Sequence, residues 1–275
     1  MKIVVCIKQV PDTTNVRINP ETNTLVREGV ESIVNPFDEY AIEEAIRIKE
    51  RLDEPAPTGK PATTGKPATT IVVTMGPPQA QAALRQALSV GIDEAILLSD
   101  RAFAGSDTWA TSYALSKMIE KIGDVDLVLC GKQAIDGDTA QVGPGVAVHL
   151  GLPQITFVKK IEEITPKKIR AERMMEEGHQ VIECRLPVLL TVVKEINEPR
   201  LPSIRGKMRA KKAEITTWTA ADLDVDQDSI GLKGSPTVVH KIYAPDRKKE
   251  GRVLDGEPAD VATDIVSELK RLSLV

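Results

Sequence analysis

Over its first 155 or so residues this chain alternates short runs of β-branched and aliphatic residues with longer stretches in which apolar residues recur every three to four positions. Ile3–Ile7, Ile71–Met75, Ala95–Leu98, Leu127–Cys130 and Gln154–Val158 have the length and composition of buried strands. Between them the spacing predicts four helices. The first opens at Asn35-Pro36, with Asn35 as N-cap and Pro36 at the first helical position, and carries Ala41, Ile42, Ala45, Ile46 and Leu52 inward. The others cover Gln79–Val90, stopped by Gly91, then Ser106–Ile122 and Thr139–Leu150. Strands joined through helices by short links require crossover connections, so the expected fold is α/β, a mostly parallel sheet with helices on both faces. Ligands of such sheets sit beyond the carboxyl ends of the strands. Here those ends are Lys8–Pro11, Thr74–Pro78 and Gly131–Thr139.

Two stretches break the alternation. Gly59–Thr64 (GKPATT) recurs letter for letter as Gly65–Thr70, and a Pro/Gly/Thr repeat cannot pack a core, so 55–70 reads as a surface-loop insertion. After residue 158 the pattern turns to antiparallel strands, Ile169–Met175 and Val181–Leu186, followed by a buried strand over Val188–Lys194. From Glu195 the chain is polar and Pro-rich until a last amphipathic helix with Val261, Ile265, Leu269 and Leu272 on one stripe. The expected division is therefore 1–193, a Rossmann-like nucleotide-binding domain with an antiparallel addition over 159–193, and 194–275, a partner-recognition loop and C-terminal arm. Such an arm, left alone, would keep apolar side chains wet, so it is expected to lie on another subunit; a plain surface tail is the alternative.

Composition removes several function classes. Aromatic residues are 3% of the chain and the net charge is −4, which argues against a base-stacking nucleic-acid platform or a lipid-binding face. Cys6, Cys130 and Cys184 form no CxxC pair, and His149, His179 and His240 are scattered, so neither a disulfide framework nor a metal site is expected. The opening residues run straight into a strand and no stretch approaches a membrane span, so a soluble cytoplasmic protein is expected.

The usual phosphate signatures are absent: there is no G-x-G-x-x-G and no G-x-x-x-x-G-K-[ST], and Gly143-Pro144-Gly145 meets Val148 where a third glycine would stand. One loop remains. It runs Gly131, Lys132, Gln133, Ala134, Ile135, Asp136, Gly137, Asp138, Thr139, Ala140, Gln141, Val142, follows a strand and opens a helix at about Thr139. Free N–H groups and the positive end of a helix dipole suit a pyrophosphate. The simpler reading is that Asp138 or Thr139 only caps the helix. A second feature is the run Arg200, Arg205, Lys207, Arg209, Lys211 and Lys212, with no acid between Glu198 and Glu214. It suits phosphates, an acidic partner, or simply solvent; low aromatic content and the acidic whole favour the partner.

Lys2–Asp12 (KIVVCIKQVPD), Asn35–Ala45 (NPFDEYAIEEA), Gly131–Thr139 (GKQAIDGDT) and Asn197–Lys212 (NEPRLPSIRGKMRAKK) together resemble the β subunit of electron-transferring flavoprotein, along the whole chain apart from the GKPATT repeat. The resemblance implies a heterodimer with an FAD-carrying α subunit and, in the β subunit, an adenine nucleotide at the strand ends. That nucleotide is AMP in one branch and FAD, reduced by NADH, in the electron-bifurcating branch. It implies contacts from Cys6 through its backbone, Asn35, Met75 and the loop from Gly131 to Val142, with Gly76, Gly137 and Ala140 leaving room. GDTAQVGPG, Ser235-Pro236-Thr237, Ala244-Pro245-Asp246 and Leu254-Asp255-Gly256 resemble the bifurcating branch, whose acceptors would be an acyl-CoA-type dehydrogenase and ferredoxin or flavodoxin. The family's partner-recognition anchor, usually Leu, falls on Ile204, flanked by Arg200, Arg205, Lys207 and Arg209. No residue of this chain is implied in bond-making catalysis. A nucleotide-binding regulatory domain and an adenylating enzyme are the rival classes; the polar arm disfavours the first, and the absence of a Ser/Gly-rich loop after the first strand disfavours the second.

Overall fold

The alternation folds as a doubly wound sheet. The structure is a computed structural model, and the residues it describes are 1–12, 17–18, 25–26, 32–53, 67–240, 251 and 253–275. In chain order these form β1 (Lys2–Cys6), β2 (Gln9–Pro11), β3 (Arg17–Ile18), β4 (Leu25–Val26), β5 (Ser32–Val34), α1 (Pro36–Asp53), β6 (Thr69–Met75), α2 (Gln81–Val90), β7 (Glu94–Leu98) and α3 (Thr108–Ile122). There follow β8 (Leu127–Gly131), α4 (Val142–Leu150), β9 (Gln154–Ile164), β10 (Lys168–Met174), β11 (His179–Arg185), β12 (Val188–Val192), α5 (Ile204–Lys212), β13 (Thr216–Trp218) and α6 (Pro258–Arg271).

The main sheet has nine strands in the order β11-β10-β9-β12-β8-β1-β6-β7-β13. From β12 to β13 all neighbours are parallel, and β9-β10-β11 adds the expected antiparallel extension. Successive side chains of a strand point to opposite faces, and here both faces are apolar. Ile3, Val5, Val72, Leu97 and Leu129 face α1 and α2, while Val4, Val73, Leu98 and Val128 face α3 and α4. Each such fully buried aliphatic side chain contributes about 1.5–3 kcal/mol. The chain leaves β1 for β6 on one side and returns through α3 to β8 on the other. The sheet order therefore reverses between β1 and β8, and beyond strand ends at such a reversal sheets of this kind leave a crevice for ligands.

Two compact units are formed, Met1–His240 and Lys241–Val275. This differs from a division at 193/194. Residues 194–240 stay with the first unit because α5 packs on α2 and β13 extends the sheet beside β7. Two arginines fix α5. Arg85 donates to the Ala210 carbonyl at 2.6 Å, and Arg209 donates to the carbonyls of Leu88 and Ile92 at 2.7 and 3.1 Å. The second unit holds α6, none of whose residues is buried, its stripe Val261, Ile265 and Leu269 included.

The repeat also departs from expectation. Most of 55–70 lies outside the described residues, but its last two residues, Thr69 and Thr70, are not loop. Thr69 and Thr70 begin β6, and Ala68 and Thr70 are buried, because Asp53 accepts the Ala68 N–H and Asp93 accepts both the N–H and the hydroxyl of Thr70. Among the described residues no helix is long and apolar enough to cross a membrane.

Arg209 donates to the Leu88 carbonyl in the last turn of α2 and to the Ile92 carbonyl just beyond it. Arg209→Ala should lower stability by about 1–3 kcal/mol, seen as a lower thermal unfolding midpoint, while Arg205→Ala, on the outer face of the same helix, should leave the midpoint unchanged.

Candidate functional site

The opening of α1 ties the crevice together. Pro36 starts the helix, and the Asn35 carbonyl accepts the N–H of Asp38 at 2.8 Å. The Asn35 side chain is not spent as an N-cap, as its position suggested. It reaches across to the loop after β8, donating to the Gln133 carbonyl at 2.8 Å and accepting the Ile135 N–H at 3.1 Å. A fully buried amide must satisfy both its donor and its acceptor, and the loop backbone is what lies within reach. Asp38, one turn further, accepts the Lys8 N–H at 2.7 Å from the end of β1. Gly131 ends β8 directly against it: a Cβ there would stand 2.4 Å from the Asp38 carboxylate and 2.6 Å from the Phe37 carbonyl carbon, so only glycine fits. Lys8 in turn pairs with Asp136 of the loop at 2.7 Å.

Burial raises the Asp38 carboxyl from its ordinary 3.8 to about 7, against the opposing pull of hydrogen bonds from Asn35 and from the Lys8 and Gly131 backbone. Sequence reading passed over Asp38. Its signal is the position: an acid on the helix face that also carries Ala41, Ile42 and Ala45 inward has to find donors inside.

The loop itself is more open than a helix start. The helix predicted from Thr139 begins at Val142, so neither Asp138 nor Thr139 caps it; Gln141 is the N-cap residue and makes no capping bond. The preceding residues turn too tightly for a helix, with Asp138 and Ala140 at φ 54° and 53°. Asp138 is held by its N–H to the Ala134 carbonyl at 2.8 Å and by the Gln133 side-chain amide. Residues Asp136 to Thr139 are exposed, and a Cβ on Gly137 would meet nothing within 4 Å. The Gln141 side chain accepts the Thr108 hydroxyl at 2.9 Å.

Cys6 pairs in register with Cys130 of β8 on one side and with Val73 of β6 on the other, so Gly131 and Met75 flank the end of β1. Gly76 continues from Met75 and donates to the Leu98 carbonyl at 3.0 Å. The structure thus gathers Cys6, Asn35 and Gly131–Ile135 at one crevice, with Met75 and Gly76 on the adjoining strand end. Ser235 and Thr237 hydrogen-bond at Asp107, the N-cap of α3; residues 244–246 lie outside the described ones.

Most of the basic run, from Arg205 to Lys212, lies on the helix α5, capped by Ser203 on the Gly206 N–H, while Arg200 precedes it in the Pro-rich loop. Its cations divide into two sets. Arg200 is bound to Glu43 at 2.8 Å and Glu50 at 2.6 Å, and Arg209 caps α2, so neither stands free for a partner. Arg205 and Lys207 are exposed, beside apolar side chains left in solvent: Ile204 is 82% exposed, Met208 60%, and Leu201, which sequence reading missed, 91%. A groove of about 500 Å³ is lined by Ile204, Arg205, Met208, Arg209 and Lys212.

Because the folded Asp38 carboxyl titrates above its ordinary value, the stability it contributes is present at acid pH and lost as pH rises through about 7. From about pH 5 to about pH 8 the wild-type unfolding midpoint should fall relative to that of Asp38→Asn; parallel curves would remove Asp38 from the account.

The model of the electron transfer flavoprotein domain family matches residues 22–223. The chain is 51% identical over 270 residues, covering 98% of both chains, to electron transfer flavoprotein subunit beta of Thermoanaerobacterium thermosaccharolyticum. It is 48% identical over the full length of both chains to the caffeyl-CoA reductase-Etf complex subunit CarD of Acetobacterium woodii. It is 46% identical to protein FixA of Azotobacter vinelandii, covering 98% of this chain and 94% of that one. With its doubly wound sheet, its strand-end loop and these relatives, the chain belongs to the electron transfer flavoprotein family as a β subunit, an electron-transport protein that pairs with an α subunit.

Proposed function

We propose that the crevice between β1 and β8 holds an FAD, and that with its α subunit the chain takes electrons from NADH and divides them between an acyl-CoA-type dehydrogenase and a low-potential acceptor such as ferredoxin or flavodoxin, in the cytoplasm. The observation that carries this reading is the loop from Gly131 to Gln141: open to solvent at Gly137, yet braced from below by Asn35 and Asp38. A preformed backbone loop at a topological switch point is suited to a pyrophosphate, and the space over Gly137 leaves room for the rest of a large nucleotide. Kinship with the CarD subunit supports the bifurcating branch and a CoA-ester partner enzyme.

FAD would supply the electron-accepting chemistry, and the protein supplies placement. Asn35 fixes the loop, Gly131 permits its close approach to α1, and Lys8, paired with Asp136, holds the loop tip to the end of β1. The C-terminal arm is read as lying on the α subunit, since α6 keeps Val261, Ile265 and Leu269 on a stripe that its own unit does not bury.

Two experiments test the reading. Gly137 has open space around it, so Gly137→Val should fold normally while blocking approach to the loop. The purified αβ complex should release two FAD on denaturation and bleach with NADH; the Gly137→Val complex should release only one. Release of one FAD and one AMP, with no bleaching, overturns the bifurcating reading. Full nucleotide retention by Gly137→Val overturns the site.

Docking of the electron-accepting dehydrogenase is assigned to α5, with Ile204 and the neighbouring Leu201 as apolar anchors and Arg205 and Lys207 as steering charges. Ile204→Ala should slow electron transfer about tenfold or more at unchanged flavin content. Charge reversal at Arg205 and Lys207 should slow it more at low salt than at high. Rate-against-salt curves that overlay for all three proteins would exclude α5 as the docking face.

A further inference from the structure

Phe157 has φ 57°, a left-handed conformation that residues with a Cβ seldom adopt, in the middle of β9. The cause is a bulge. Leu190 pairs with Ile155 and Val192 with Val158, so Thr156 and Phe157 together face Thr191 alone. The buried Thr191 hydroxyl accepts the Phe157 N–H at 3.1 Å and so replaces the ladder bond lost at the bulge. Thr191 cannot move, because its methyl packs against Gly143 so closely that a Cβ there would stand 2.8 Å from it. Backbone strain of this kind persists only where the surroundings over-determine it, and it collects at functional positions.

The strained residue presents its ring to Lys132, whose ammonium lies 5.4 Å from the ring centroid. The Lys132 N–H is fixed to the Val192 carbonyl at 2.9 Å, at the end of β12. Two lysines thus follow the ends of the strands that border the crevice, Lys8 after β1 and Lys132 after β8, and they differ. The Lys8 ammonium is neutralised by Asp136 at 2.7 Å. The Lys132 ammonium has no carboxylate partner among the described residues; an aromatic face holds it in place and leaves its charge unspent.

We propose that Phe157 is a positioning residue that holds Lys132 as the phosphate-pairing cation of the nucleotide site. The proposal rests on the reading of the crevice as that site. It adds that the loop's backbone is joined by one side-chain cation, and that this cation is placed from a different strand pair, β9 and β12.

The test uses the αβ complex, freed of the nucleotide in its β subunit and titrated with AMP and with FAD by calorimetry at two salt concentrations. Lys132→Gln should weaken both ligands about tenfold and flatten the salt dependence, as loss of one charge-assisted contact does. Phe157→Leu should weaken both about three- to fivefold. The double variant should match Lys132→Gln alone, since Phe157 acts through Lys132. Phe157→Gly accepts the left-handed backbone; it should unfold no earlier than wild type yet bind as weakly as Phe157→Leu, a split that a purely structural ring would not give. Additive losses in the double variant, or unchanged affinity in Phe157→Leu and Phe157→Gly, overturn the proposal. If Gly137→Val abolishes binding while the Lys132 and Phe157 variants bind as wild type, this proposal alone fails. If the unmodified complex binds neither ligand, the site reading fails with it.

Discussion

The hydrogen bonds that Asn35 and Asp38 make at the first turn of α1 decide the shape of the molecule at the ends of β1 and β8. One residue holds the loop after β8 and the other holds the end of β1, so two strand ends and a loop are referred to a single helix start. Both side chains are buried, and a buried polar group without partners would cost about 1–3 kcal/mol. The chain therefore has little freedom to place the loop elsewhere. Gly131 completes the constraint, because any larger residue would push β8 away from α1. The burial that makes these contacts strong also lifts the Asp38 carboxyl to about 7, which puts a titratable group under the floor of the crevice.

Much of this was legible in the sequence, and the parts that were not share a physical reason. The β-branched runs and the 3.6-residue spacing gave the sheet and its helices, since strands covered on both faces must be apolar throughout. The loop at Gly131 and the helix opening at Asn35 stood out as small and capping residues at strand and helix ends. What spacing cannot show is where a polar side chain spends its hydrogen bonds. Asn35 looked like a cap and is a brace. Asp138 and Thr139 looked like a helix start, and left-handed turns at Asp138 and Ala140 delay the helix to Val142. The left-handed Phe157 gave no signal, because the bulge arises from pairing with β12, more than thirty residues away.

The basic stretch teaches the same lesson about charge. Six cations in a row look equivalent on paper, yet two of them are structural. Arg200 satisfies Glu43, which is buried in α1 and held below the usual carboxylate range by Arg200 and Arg47 despite that burial. Arg209 closes the end of α2. Arg209 and Arg85 hold α5 on α2 and leave Ile204 and Met208 facing solvent, with Leu201 exposed just before the helix, and on these residues the proposed docking face rests.

Amide hydrogen exchange of the αβ complex, with and without AMP or FAD in the β subunit, reports residue by residue where the nucleotide is felt. The account predicts new protection confined to the loop 131–141, the start of α1 and the ends of β1 and β6, with α5 unchanged. Protection that appears on α5 or elsewhere, with the loop exchanging as before, would contradict it.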